Sequence, residues 1–156
     1  MRVPLRYVPK ILTRKDKRKQ IRMLKKSRAL YKTHKYYTRR PLPSFKNKKS
    51  SHVANARRIY SVKNIKPTKE LAQKTGCSLA ALKQIVRKGE GAYFSSGSRP
   101  NQTAQSWGLA RLASAITGGK ASAVDYSILE NGCQHNKKAF SLARGARPPH
   151  PPRVEI

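Results

Sequence analysis

Acidic side chains are what this chain has least of. Its 156 residues carry 6 Asp+Glu against 36 Lys+Arg, a formal charge of +30. At a Debye length of about 8 Å in physiological salt, charges this dense repel one another unless an anionic surface neutralises them. A solitary cytosolic enzyme is therefore excluded as the expected class, and ribosome, chromatin, nucleoid or virion become the expected settings. Cysteine is nearly as scarce. Cys77 and Cys133 are too few and too far apart for a disulfide framework, which predicts a reducing compartment. No apolar run approaches the roughly 20 residues that cross a bilayer, and Met1-Arg-Val-Pro-Leu-Arg6 lacks the apolar stretch of a signal peptide. The expectation is no membrane span.

Catalytic groupings are missing as well. Asp16, Glu70, Glu90, Asp125, Glu130 and Glu155 offer no close carboxylate pair for acid-base work. His34, His52, His135 and His150 are scattered, with no nucleophile at a telling spacing. Cys133-Gln-His135 with Cys77 would leave a zinc ion short of a fourth ligand. Ser114 to Ala121 ends in Thr-Gly-Gly-Lys-Ala, but Ser114 stands where a phosphate loop needs glycine and Ala121 where it needs a hydroxyl. The reading is a non-enzyme with no cofactor and no metal.

What is present divides unevenly. Residues 1 to 66 hold 23 basic and 1 acidic side chains, +22, and residues 67 to 156 hold 13 and 5, +8. This predicts a basic N-terminal arm over 1–66 with one or two helices, a compact helical module over 67–132, and an extended tail over 133–156. Pro4 and Pro9 favour an extended start. Thr13-Arg-Lys-Asp16 resembles a helix cap, and a proline- and glycine-free basic helix follows to Lys32, with Ile21, Leu24 and Tyr31 on one face. Tyr31, Tyr36 and Tyr37 lie among Lys32, Lys35, Arg39 and Arg40, a pattern that suits a phosphate backbone with stacked bases and equally an arm laid on another protein. His52 to Tyr60 suggests a short helix.

In the module, Thr68 and Glu70 open a helix that Gly76 closes, and Ser78 caps a second bearing Leu79, Leu82, Ile85 and Val86. The pair matches a helix-turn-helix. A DNA reader directs its second helix's first residues at base edges, and here those are Ser78, Leu79, Ala80 and Ala81, then Lys83 and Gln84. Alanines make no bidentate base contacts, so a packing hairpin is the preferred reading. Gly89 and Gly91 are expected to end the second helix and start a loop from Tyr93 to Gln102, in which backbone N–H groups and Arg99 offer an anion nest or simply a structural wrap. A third helix is expected from Thr103 to Thr117, with Trp107 at the core centre. Ala123 to Glu130 reads as a strand or a last helical turn, and Arg144 to Ile156, with Pro148, Pro149, Pro151 and Pro152, as an extended tail.

The run Lys88-Gly-Glu-Gly-Ala-Tyr-Phe-Ser-Ser-Gly-Ser-Arg-Pro-Asn-Gln-Thr-Ala-Gln-Ser-Trp-Gly-Leu-Ala-Arg-Leu-Ala-Ser, then Thr117-Gly-Gly-Lys and Val124-Asp-Tyr, resembles an uncharacterised, phycodnavirus-like domain family of large double-stranded DNA viruses of algae and protists. Met23-Leu-Lys-Lys-Ser-Arg and Lys35-Tyr-Tyr-Thr-Arg are similar to its basic N-terminal portion. The resemblance implies a virion setting, with host cytoplasm during assembly, and no catalytic residues. The expected role is then a minor capsid protein whose arm cements other capsid proteins. The alternative is a nucleic-acid-binding protein that condenses viral DNA or acts through the helix pair, with a ribosomal protein third. The partner-binding candidates are Arg14, Lys15, Lys17, Arg18, Lys19, Arg22, Lys25, Lys26, Arg28, Tyr31, Tyr36, Tyr37, Arg39, Arg40, Lys83, Arg87, Lys88 and Arg99.

Overall fold

A computed structural model describes residues 1–47, 50–146 and 151–156. It is mainly helical, with eight α-helices and one two-stranded sheet among the described residues. The chain divides into two units interleaved along the sequence: Met1–Lys48, Glu90–Trp107 and His150–Ile156 form one, and Lys49–Gly89 with Gly108–Pro149 the other. The expected boundaries near 66 and 132 are therefore not where the chain divides.

The first unit is organised by α1 (Arg14–Lys32). Its start is the one the sequence signals, since the Thr13 side chain accepts the Asp16 N–H at 3.2 Å. Its buried stripe is Asp16, Gln20, Met23, Leu24 and Ser27, so the expected face is rotated and Ile21 and Tyr31 are only half-buried. Leu24 joins Val3, Tyr7 and Val8 in one cluster, and Met23 joins Leu12 and Leu42 in another. The expected extended start is a short strand, β1 (Arg2–Pro4), followed by a 3-10 turn over Leu5–Tyr7. Antiparallel to β1 runs β2 (Arg153–Glu155), with Val3 opposite Val154. The N-terminal amine is bonded to the Glu155 carboxylate. Residues 1–47 thus own buried apolar groups rather than forming a bare arm.

The second unit opens with α2 (Ser51–Tyr60) and α3 (Lys69–Thr75). Thr68 caps α3 by accepting the Leu71 N–H at 3.2 Å, and Gly76 ends it at φ 79°. In that left-handed region glycine carries no Cβ penalty. α4 (Leu79–Ser95) follows, with the Ala81 N–H donated to Ser78 Oγ at 3.1 Å. Then come α5 (Ala104–Ala115), α6 (Lys120–Val124), α7 (Tyr126–Gly132) and α8 (Lys138–Ala143). Twenty buried residues form one core here, including Leu71, Leu82, Ile85, Leu112, Ile116, Leu129 and Phe140.

Several expectations change. α4 does not stop at Gly89 and Gly91 but continues to Ser95. A Cβ on Gly89 would meet Gly108 Cα at 2.7 Å, so this glycine serves close helix packing and not termination. Trp107 is half-buried and packs edge-on against Tyr7 in the first unit, centroids 6.0 Å apart. On α5 it is Leu112, and not Trp107, that is fully buried in the second unit's core. Ala123 to Glu130 is helical, in α6 and α7. The expected tail from 133 contains α8, whose Ala139, Phe140 and Ala143 are buried, and ends in the strand β2. Arg147, Pro148, Pro149 and His150 of that tail, and Lys48 and Lys49 of the expected arm, lie outside the described residues.

Cys77 and Cys133 are joined in a disulfide across 56 residues. The Ser78 N–H donates to Gly132 O at 2.7 Å and the Gln134 N–H to Gly76 O at 2.8 Å, so the two cysteines face each other across a local antiparallel bridge. The two cysteines, too far apart in sequence for an expected disulfide framework, are paired because the fold brings the α3–α4 turn against the end of α7.

Candidate functional site

The solvent side of α1 is a cation array. Arg14, Lys15, Lys17, Arg18, Arg22, Lys25, Lys26 and Lys32 are exposed, and Lys19 and Arg28 half-exposed, on a helix of 19 residues, about 28 Å long. Side chains three and four positions apart are neighbours, and like charges there destabilise an isolated helix. Lys15, Arg18, Arg22 and Lys25 follow that spacing. The helix's one acid gives no relief, because Asp16 is turned inward. Its Oδ2 accepts the Ser44 N–H at 2.9 Å and the Ser44 hydroxyl at 2.5 Å, which hold the carboxyl below its ordinary range. Among the described residues, no cation of α1 lies within 4.0 Å of a carboxylate.

Beyond α1 the candidates separate. Arg39 is buried at 6% exposure and is not a surface contact. It sits 3.8 Å over the Tyr93 ring, and its guanidinium donates to Ser27 Oγ, Tyr93 O and Ser98 Oγ at 2.8 to 2.9 Å. Desolvation lowers its pKa, partly offset by Tyr93, yet an arginine stays protonated. It is a buried charge held by dipoles and a ring. Arg28 is partly used too, donating Nε–H to Ser95 O at 3.0 Å. Arg40 and Arg99 are exposed.

The three tyrosines also part company. Tyr37 lies under Lys26, whose Nζ is 4.6 Å from the ring centroid, and packs against Leu12, Met23 and Leu42. Tyr31 and Tyr36 instead gather with Phe94, which lies in the expected loop from Tyr93 to Gln102 and belongs to α4. No local signal exposes this, since Phe94 is more than 50 residues from either tyrosine. The Ser-Gly-Ser-Arg-Pro-Asn stretch is structural: Asn101 accepts the Leu42 N–H at 2.6 Å and donates to Phe45 O at 2.7 Å, while a Cβ on Gly97 would meet Leu24 at 2.8 Å.

In the second unit, Lys83 and Arg87 are exposed on α4, and Lys88 lies 3.5 Å from Asp125. Asp125 is fully buried and bidentate with Arg111 at 2.6 and 2.7 Å, the stronger geometry. A shallow groove of about 300 Å³ beside the start of α4 is lined by Ser78, Ala80, Ala81, Gln84, Ser127, Ile128, Asn131 and Gly132, with no charged side chain. The zinc grouping is also gone: both sulfurs are in the disulfide, and His135 stacks on Phe140 at 4.0 Å. No cluster of three metal-ligating side chains occurs among the described residues, and no helix of the described residues is long and apolar enough to cross a membrane.

Compared with known proteins, residues 4–133 match the model of a family described as a family of unknown function, DUF5824. No curated protein and no solved structure matches.

Proposed function

The chain belongs to DUF5824, a family of unknown function, and from the surface it carries we propose that it binds nucleic acid through phosphate contacts, without a covalent step. The observation that carries this is α1: eight exposed cations on one 19-residue helix, with its single acid buried against Ser44. A regularly spaced polyanion neutralises such an array along its whole length and releases its own condensed counterions in doing so. Acidic patches on a folded protein are less regular.

The expected role as a virion cement requires residues 1–66 to be an arm laid on other proteins. Val3, Tyr7, Val8, Leu12, Met23, Leu24 and Leu42 are buried within one unit, and that supports placing nucleic acid ahead of neighbouring capsid proteins. The two readings part in a fractionation: a cement stays with emptied shells, and a genome-bound protein leaves with the DNA.

Salt titration of binding to duplex and single-stranded DNA tests the proposal directly. With six or more phosphate contacts, affinity falls about 10³-fold or more between 50 and 200 mM salt. The triple variant Arg18→Glu, Arg22→Glu, Lys25→Glu is expected to reduce the magnitude of the log–log slope by about 3 on duplex DNA. Absence of binding to either DNA at 50 mM salt refutes the reading.

A further inference from the structure

We infer that Tyr36, backed by Phe94 and Tyr31, is a stacking platform for an unpaired base of a single-stranded nucleic acid; the inference rests on the nucleic-acid reading above. Tyr36 is 69% exposed. Its ring lies 5.1 Å from that of Phe94 and 6.1 Å from that of Tyr31, and Tyr31 and Phe94 are parallel to within 8°.

The backbone explains why the ring is there. At the end of α1 the Lys35 N–H donates to Leu30 O at 2.9 Å and the His34 N–H to Tyr31 O at 3.0 Å, the paired bonds of a Schellman turn. His34 takes the left-handed position at φ 60°, one that glycine usually fills. This fold-back returns the chain over the last turn of α1 and sets Tyr36 beside Tyr31.

Charge chooses the occupant. Lys32, Lys35 and Arg40 flank Tyr36 in sequence and are exposed, so the ring belongs to a cation-rich stretch of chain. Other rings of this unit have their faces committed, Tyr37 to Lys26 and Tyr93 to Arg39. An exposed ring in a stretch of exposed cations fits a base with its phosphates: the base supplies a π-face and the backbone supplies the charge. Duplex bases have their faces covered by one another, so the platform discriminates for single strands.

The test measures binding of a labelled oligothymidine and a duplex of equal length to the full chain, at fixed salt, for wild type, Tyr36→Ala and Tyr36→Phe. Circular dichroism checks that each variant is folded. Tyr36→Ala is expected to weaken oligothymidine binding by at least about fivefold, the low end for one stacked base. Tyr36→Phe keeps the ring and is expected to stay within about twofold of wild type, and duplex affinity and the salt slope are expected to be unchanged. If Tyr36→Ala binds oligothymidine as wild type does, with steep salt dependence, the platform is overturned and phosphate binding stands. Equal losses on both DNAs also overturn it, since they report lost charge or shape. If wild type binds neither, the nucleic-acid reading fails and the platform with it.

Discussion

The two units carry similar charge and hold themselves together differently. The first has 20 basic and 3 acidic side chains, +17, and the second 16 and 3, +13. In the second, twenty buried residues make one apolar core, closed by a disulfide. In the first, the buried apolar groups form clusters of four and three. Partly buried side chains and ring contacts extend these clusters, and a buried polar lattice joins them: Arg39 to Ser27, Ser98 and Tyr93, Gln20 to Tyr7 O at 2.9 Å, Asn101 to Leu42 and Phe45, and Asp16 to Ser44. Charge density therefore does not decide whether a segment packs. A basic segment with few apolar residues folds by satisfying polar groups internally, and this leaves its lysines and arginines free to face outward. The unit stitched by hydrogen bonds is the one that carries the cation array and the exposed ring.

The largest way to break the comparison is through sulfur. Closing a loop of this separation, 56 residues, is worth about 4 kcal/mol in the chain-entropy account. The double variant Cys77→Ala, Cys133→Ala is expected to lower hydrogen-exchange protection in the second unit, at Leu129 and Phe140, while Leu24 in the first is affected less. Equal losses at all three sites would show that the two units do not differ in what the disulfide holds.

Arg39 gives the reciprocal test, with a smaller effect. Its fork reaches Ser27, Tyr93 O and Ser98 together, a geometry that a lysine ammonium does not reproduce. Arg39→Lys is expected to cost about 1 to 3 kcal/mol by leaving buried partners unsatisfied, read as lost protection at Leu24. Unchanged protection would mean that the polar lattice contributes little to the first unit.

These contrasts also show which features the sequence makes legible. The α3–α4 pair was readable because each signal is local: Thr68, Gly76 and Ser78 sit at the helix ends they determine, and Leu71, Leu82 and Ile85 repeat at helical spacing. The α1 array was readable for the same reason. Features made by distant pairs were not. Gly89 signals a helix end until Gly108 is beside it. Arg39 and Arg40 are indistinguishable in composition, yet one is buried by Tyr93 and the other exposed. Strand β1 finds its partner about 150 residues away, Cys77 finds Cys133, and Phe94 joins Tyr31 and Tyr36 only because a helix expected to stop at Gly91 continues.

Acid exposes the smallest difference and the most local one. Hydrogen bonds from Ser44, through its hydroxyl first and its backbone N–H second, lower the Asp16 pKa from an ordinary value of 3.8. The folded state thus releases this proton more readily than the unfolded chain. The resulting stabilisation is complete above the unfolded value and is lost as pH falls below 3.8 and through the lower folded value. Glu155 is also lowered, chiefly by its bond from the N-terminal amine, so global unfolding would mix the two. The readout is instead the exchange protection of the first turn bonds of α1, such as the Lys17 N–H to Thr13 O at 2.8 Å. Wild type is expected to lose protection there on acidification, and Asp16→Asn to start lower at neutral pH and show little further loss. An identical acid profile in the variant would mean that the Ser44 contact does not couple this carboxylate to the fold of the first unit.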